Sequence, residues 1–376
     1  MFGAPGWTVS LLAVVGALVL AAFAPQRALA DGAEPASPGR PSLYELADDQ
    51  LLSIALYSSP HRMASRISNR GAVGVNADWE AGRAVGWYIE EQRYGADLIQ
   101  AGLVRDDPAL VSRGWEILDW GLARQAADGS FAGTGDPFHS TSLFAEAMAR
   151  ALVLTAQSGS RDAERRLATS LPAFERSVRW LAEPSVAARG ARNNAPYTHR
   201  RWVLAAAMAE AAAAVRLGAG RGEEAEAFER IARDYAADGL RLQAADGMNP
   251  ERGGADASYQ AYGLLMAERY LSACTYPDMR IRVRASIVRG LDWLASRIDE
   301  RGGVDVSGDT RTGVESSRSG RVKGIDYKSM LQAFSIGASQ AGNPSYRDVA
   351  IRLAASRGWL PRIPPPTGMG AGPRGD

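Results

Sequence analysis

Apolar residues recur at helical spacing along most of the chain, in two alternating kinds of segment. The first kind is amphipathic, with apolar residues three positions apart, such as Ile117 and Trp120 in "EILDWGLA" from Glu116, and Val178 and Leu181 in "RSVRWLA" from Arg176. The second kind is richer in alanine, as in "HSTSLFAEAMARALVLTAQ" from His139 and "YTHRRWVLAAAMAEAAAAVRL" from Tyr197. Alternating β-branched residues, which would indicate strands, are nearly absent. The pattern predicts an all-α protein.

The two kinds of segment form a repeating unit. The sequence "QAADG" occurs at Gln125 and again at Gln243, 118 positions later, and Trp120 and Trp180 stand sixty positions apart. An open solenoid usually has shorter units, roughly 34 to 47 residues. We therefore expect an (α/α) toroid or incomplete barrel of about five to six helical hairpins. Its tight inner ring would be built from the alanine-rich helices, because small side chains let them approach.

The ends of the chain differ from this repeating part. An apolar run from Val9 to Ala24 is followed by "APQRALA", in which Ala28 and Ala30 have the spacing that signal peptidase accepts. We expect a signal peptide over 1–30, a linker over 31–45, the toroid domain over 46–362 and a disordered tail over 363–376. The protein is then exported to the periplasm or outside the cell. It contacts a membrane only if the first segment stays uncleaved.

Composition narrows the functional classes. The 43 basic and 42 acidic residues nearly cancel, and the chain has no long run of basic residues. Nucleic acid is therefore not an expected partner. Cys274 is a lone cysteine of the kind that packs as a small apolar residue. The three histidines lack metal-ligand spacing, so we expect no metal and no cofactor.

Polar residues gather where the alanine-rich segments begin. In a toroid the loops that lead into the inner helices open on one face, so these residues are expected to share a cleft. Taken singly, several of them are ordinary helix caps and turn residues. The candidates are His139, Asn193, Asn194, Tyr197, His199, Arg252, Asp256, Tyr259, Gln260, Lys323 and Tyr327.

This set of side chains suits the removal of a proton next to a carboxylate. An Asn, Arg or Lys can neutralise the carboxylate of a uronic acid, so that charge developing at C5 is tolerated. A neutral His or a Tyr can take the proton, and an acid must protonate the departing glycosidic oxygen. The set suits a glycosidase less well, because that chemistry needs two carboxyl groups flanking the bond.

The same residues resemble those of the α/α-toroid polysaccharide lyases, a group similar to the alginate lyase superfamily. Those enzymes carry an Asn and a His on one inner loop and, later, an Arg seven positions before a catalytic Tyr. This chain has "NNAPYTH", then Arg252 and Tyr259 seven apart, although His199 follows Asn194 by five positions rather than one. The resemblance implies Asn194 as carboxylate neutraliser, His199 as base with His139 as its substitute, Tyr259 as acid or acid/base, and Arg252 as orienting cation. The expected substrate is an acidic polysaccharide or oligosaccharide. Trp79 and Trp202, near the starts of alanine-rich segments, are candidates for stacking on its sugar rings.

Two alternatives remain open. One is a glycoside hydrolase on the same toroid, similar to the unsaturated uronyl hydrolases, with aspartates in the same loops as its carboxyl groups. The other is a non-catalytic glycan-binding protein, since binding and catalysis use the same residue types. A terpenoid-cyclase-like interpretation of "QAADGSF" lacks the acidic motifs of that chemistry.

Overall fold

The computed structural model describes residues 73, 88–131, 134, 136–159, 163–218, 221–317 and 319–360. The predicted signal peptide, linker and tail lie outside these residues, as does Trp79, a weak candidate for stacking on a sugar. Within the described part no helix is long and apolar enough to cross a membrane.

The described residues form helices, with β-bridges only as isolated pairs. A 3-10 helix, Ile89–Arg93, precedes the first α-helix. The α-helices are α1 Tyr94–Arg105, α2 Pro108–Leu122, α3 Pro137–Gln157, α4 Ala163–Ala182, α5 Pro184–Asn194, α6 Thr198–Arg216, α7 Gly222–Leu242, α8 Ala257–Ala273, α9 Pro277–Ala295, α10 Tyr327–Ala341 and α11 Pro344–Ser356. The all-α prediction is confirmed.

Local sequence explains where many of the helices begin. A side-chain oxygen just before the helix accepts backbone N–H groups of the first turn, which would otherwise lack a partner. A proline also favours a helix start at the first helical position, where the backbone N–H has no partner within the helix. Proline occupies this position in α2, α3, α5, α9 and α11. The capping residues are Asp107, Asp136, Glu183, Asp256, Asp326 and Asn343.

The helices pack as successive hairpins. Helix α2 packs on α1, α4 on α3, α7 on α6, α9 on α8 and α11 on α10. The first members of these pairs also contact one another in turn, α1 with α3, α3 with α6, α6 with α8 and α8 with α10. Helices α3, α6, α8 and α10 are buried along most of their length, whereas α4 and α7 bury one face. The alanine-rich segments are therefore the central ones.

The repeated "QAADG" loops make the same contact twice. Gly129 and Gly247 have φ of 93° and 96°, which a glycine adopts without strain. A Cβ at Gly129 would lie 2.2 Å from the carbonyl oxygen of Arg176, and one at Gly247 would lie 2.1 Å from that of Arg289. Each loop thus sits directly on the backbone of the next hairpin's second helix, so the sequence repeat marks a packing repeat.

Candidate functional site

Two loops meet at the start of α6. The backbone N–H of Arg252 donates to the carbonyl of Pro196 at 2.7 Å, and the hydroxyl of Thr198 donates to that of Pro250 at 2.7 Å. Arg252 has a φ of 53°, a left-handed conformation that few non-glycine residues adopt. These contacts hold the stretch "NPERGG" against the first turn of α6, which carries His199.

His199 is held by a buried carboxylate. Its Nδ1 lies 2.8 Å from Oε2 of Glu251, and the two side chains are 3% and 2% exposed. The other oxygen of Glu251 accepts from the guanidinium of Arg311, also at 2.8 Å. Because a carboxylate can only accept, Nδ1 must carry the proton, and the lone pair of neutral His199 is then on Nε2.

Tyr259, in the first turn of α8, lies beside His199. Their ring centroids are 4.6 Å apart at an interplanar angle of 39°. The ammonium of Lys323 donates to the phenol oxygen of Tyr259 at 2.6 Å, and Arg311 stands 4.0 Å from the ring centroid. We call His199, Glu251, Tyr259, Arg311 and Lys323 the histidine site.

Burial sets the protonation states in this site. It lowers the pKa of His199, although Glu251 acts in the opposite direction, so the imidazole is neutral near neutral pH. Burial also raises the pKa of Tyr259, despite the opposing charge of Arg311, and the phenol stays protonated. Lys323 has a lowered pKa, again mainly because of burial. The pair therefore holds a neutral imidazole beside a proton-bearing phenol.

Asn194 and His139 each have a neighbour in the first turn of α6. The Oδ1 of Asn194 accepts from Arg200, while its Nδ2 is buried without a hydrogen-bond partner among the described residues. Arg200 also pairs with Asp136 at 2.9 Å. The ring of His139 lies 6.2 Å from that of His199, and its pKa is lowered well below the ordinary value, first by burial and then by Arg200.

Arg252 and Tyr197 form the exposed rim. Arg252 donates to the hydroxyl of Tyr197 at 3.2 Å and pairs with Glu315 at 2.9 Å, with 47% of its side chain exposed. Glu315 also pairs with Arg311 and Lys323, at 2.8 and 3.1 Å. The rim is thus tied to the histidine site through Glu315.

Four other predicted residues have different surroundings. Asp256 accepts from the backbone N–H groups of Tyr259, Arg311 and Thr312. Among the described residues, the side chain of Gln260 bonds only backbone groups, one of them the carbonyl of Gly247. The structure uses both to position backbone, so we leave them out of the substrate-contacting set.

Asn193 and Tyr327 also have different surroundings. Asn193 is exposed near the end of α5. Tyr327 packs against Trp359 and Arg357, near the end of the described chain. Trp202, which we considered for stacking on a sugar, is 1% exposed and packs against Gly239 and Tyr270.

Sequence reasoning missed Glu251, Arg311 and Glu315. Glu251 stands next to Arg252 in the stretch that drew attention, but a glutamate before "RGG" looks like a solvent-exposed turn residue. Arg311 and Glu315 lie in a long loop whose sequence, "GDTRTGVESS", predicts only turns. No local signal indicates that this loop folds back onto α8, where Asp256 anchors it.

The assembled groups can take a proton at His199, give one from Tyr259 and stabilise a nearby negative charge through Lys323 and Arg311. Comparison with protein-family models, curated proteins and solved structures finds no match for this chain.

Proposed function

We propose that this chain is an α/α toroid that cleaves an acidic, uronate-containing glycan by β-elimination. The toroid is supported by the succession of contacts from α1 through α3, α6 and α8 to α10. It is supported further by an ion pair between Lys328 of α10 and Asp97 of α1, which joins the last central helix to the first. Export to the periplasm or the cell exterior belongs to the same proposal.

The observation that carries the function is the pairing of His199 with Tyr259. One ring is a neutral base whose tautomer is set by Glu251, and the other is a phenol that keeps its proton. Their centroids are 4.6 Å apart, so one sugar ring can contact both groups. β-Elimination needs this combination of a base for the C5 proton and an acid for the departing oxygen.

The proposed reaction proceeds as follows. The Nδ2 of Asn194 and the guanidinium of Arg252 neutralise the sugar carboxylate, which allows negative charge to develop at C5. Nε2 of His199 takes the C5 proton, and the electron pair forms the C4–C5 double bond as the C4–O bond breaks. Tyr259 gives its proton to the departing oxygen, and Lys323, 2.6 Å away, stabilises the resulting phenolate. Solvent then returns His199 and Tyr259 to their resting protonation states.

The hydrolase alternative is less well supported, because the loop aspartates have structural partners. Asp136, Asp256 and Asp326 each cap a helix. Asp128 and Asp246 accept backbone N–H groups within their own turns. Glu315 lies among three cations, and its pKa is lowered although burial opposes this. A glycosidase acid needs a raised carboxyl pKa.

The test is the ultraviolet absorbance of the unsaturated uronyl product, measured while the full chain is incubated with alginate, glucuronan, pectate and glycosaminoglycans. We expect a rise on at least one polymer. Tyr259→Phe should reduce the rate by about 10²- to 10⁴-fold, because it removes the acid and leaves the ring.

Tyr235→Phe is the matched control. Tyr235 is half-buried on α7 and also has a raised pKa caused by burial, but it belongs to the second helix of its hairpin. It should keep full activity. Equal rates for the two variants would remove Tyr259 from the mechanism. New reducing ends without ultraviolet absorbance would replace the lyase with a hydrolase, and glycan retention without cleavage would replace it with a binding protein.

A further inference from the structure

A second polar pocket lies beside the histidine site. It is lined by residues of α1, α3, α8 and α10 and is partly open to solvent. The ring of Tyr262 lines this pocket and lies 6.0 Å from the ring of His199. We call this space the inner pocket; Tyr262 separates it from the histidine site.

Most charges in the inner pocket neutralise one another. Arg150 bonds Glu146 at 2.9 Å and Asp97 at 3.1 Å, and Arg269 bonds Glu146 at 2.8 Å. Lys328 pairs with the second oxygen of Asp97. Such buried, hydrogen-bonded pairs hold a fixed geometry and have little net charge to offer a ligand.

Arg93 is the exception. It lines the pocket at the end of the 3-10 helix, and its guanidinium donates to the backbone carbonyl of Glu90 at 2.9 Å. Within the part of the chain that the structure describes it forms no ion pair, although Glu90 and Glu91 act on it through space. Its guanidinium carbon, Cζ, lies 5.1 Å from the ring centroid of Tyr94.

The lining residues therefore carry one more positive than negative charge. The cations are Arg93, Arg150, Arg269 and Lys328, and the carboxylates are Asp97, Glu146 and Asp326. A single carboxylate would balance this difference and could accept two parallel N–H bonds from a guanidinium. The rings of Tyr94 and Tyr262 supply flat, partly apolar faces of the kind that pack against a sugar.

We propose that the inner pocket binds one uronate sugar, with Arg93 as the partner of its carboxylate. The identification of the ligand as a sugar carboxylate rests on the proposed function. The expectation that the ligand carries one negative charge rests on the excess of one positive charge among the lining residues. Because Tyr262 contacts both spaces, the bound sugar is the neighbour of the sugar that is cleaved. Arg93 is then a substrate-binding residue that the sequence analysis did not identify.

The test is calorimetric titration of the full chain with D-glucuronate, and with D-glucose as the uncharged counterpart. We expect binding of glucuronate only, weakened at least tenfold in Arg93→Gln and partly restored in Arg93→Lys, which keeps the charge but not the paired N–H groups. Arg233→Gln is the matched control, since Arg233 is on α7 and stands over Tyr276. Thermal unfolding of each variant checks that it is folded.

The outcomes separate this inference from the proposed function. Glucuronate binding that is unchanged in Arg93→Gln, or equal binding of glucose, overturns the inference. Lyase activity in a protein that binds no glucuronate also overturns it and leaves the proposed function standing. Binding that depends on Arg93 in a protein without lyase activity supports the inner pocket as a carboxylate site and removes the proposed reaction.

Discussion

Replacing Glu251 by Gln tests whether the buried carboxylate prepares His199 for catalysis. The substitution keeps the shape of the side chain and removes its charge. Glu251 is 2% exposed in its side chain and accepts from both His199 and Arg311 at 2.8 Å. A glutamine has one carbonyl oxygen, so at least one of these donors would face an NH₂ group.

The expected effects follow from the two lost charge-assisted bonds. Each is worth about 1.5–3 kcal/mol, and part of this remains in the glutamine contact, so we expect a loss of about 3 kcal/mol in the free energy of unfolding. His199 also loses the acceptor that sets its tautomer. By analogy with other His–carboxylate pairs, kcat/KM should fall by about 10²- to 10⁴-fold.

The assay combines lyase rates on the best polymer with urea unfolding followed by tryptophan fluorescence. The control is Glu229→Gln, because Glu229 is also nearly buried and accepts from Arg216 at 2.6 Å and Thr275 at 2.8 Å. Its partners stand at or beyond the far ends of α6 and α8, away from His199. It should lose stability and keep its rate.

Two results would refute the reasoning. If Glu251→Gln is destabilised but as active as Glu229→Gln, the carboxylate supports the fold and does not prepare His199. If Glu251→Gln loses neither stability nor activity, the buried contacts themselves are wrong.

Three further predictions concern packing and pH. Gly247→Ala should lower the free energy of unfolding by about 3 kcal/mol or more, since its Cβ would lie 2.1 Å from the carbonyl oxygen of Arg289. Gly159 has a φ of 66° and open space around it, so Gly159→Ala should lower the free energy of unfolding by only about 1–2 kcal/mol. Burial raises the pKa of Glu268, so the folded protein holds this proton more tightly than the unfolded chain. The free energy of unfolding should therefore fall by up to about 1.4 kcal/mol per pH unit as the pH rises from the unfolded to the folded pKa of Glu268. Glu268→Gln should remove this slope. The lowered pKa of His199 places the acid limb of kcat/KM below about pH 6.5, with activity lost as the pH falls through the folded value.

Each of these has a measurement and an opposing result. Equal urea midpoints for Gly247→Ala and Gly159→Ala would show that the loop does not sit on the next hairpin. An unchanged pH slope of unfolding in Glu268→Gln would assign that slope to other groups. An acid limb above pH 7 would mean that His199 is charged at rest and cannot act as the proposed base.

Much of the architecture could be predicted because its signals are local. Helical spacing of apolar residues, capping aspartates such as Asp136 and Asp256, and prolines at first helical positions each act within one or two turns. The "QAADG" repeat marks a real packing repeat, because Gly129 and Gly247 touch the backbone in the same way. Hydrogen bonds to backbone groups separated Asp256 and Gln260 from the substrate-contacting candidates, since a polar residue at a helix start can bind either backbone or ligand.

Local sequence patterns predict the helices, their repeating order and most of the residues near the candidate site, including His199 and Tyr259. Which of these side chains act together depends on the folded arrangement of the loops. Glu251 meets His199 across 52 positions, and Arg311 meets Glu251 across 60, through loops without a periodic pattern. An ion pair in a folded chain depends on the direction in which two loops present their side chains and on the exclusion of water around them. The local spacing of residues predicts neither property.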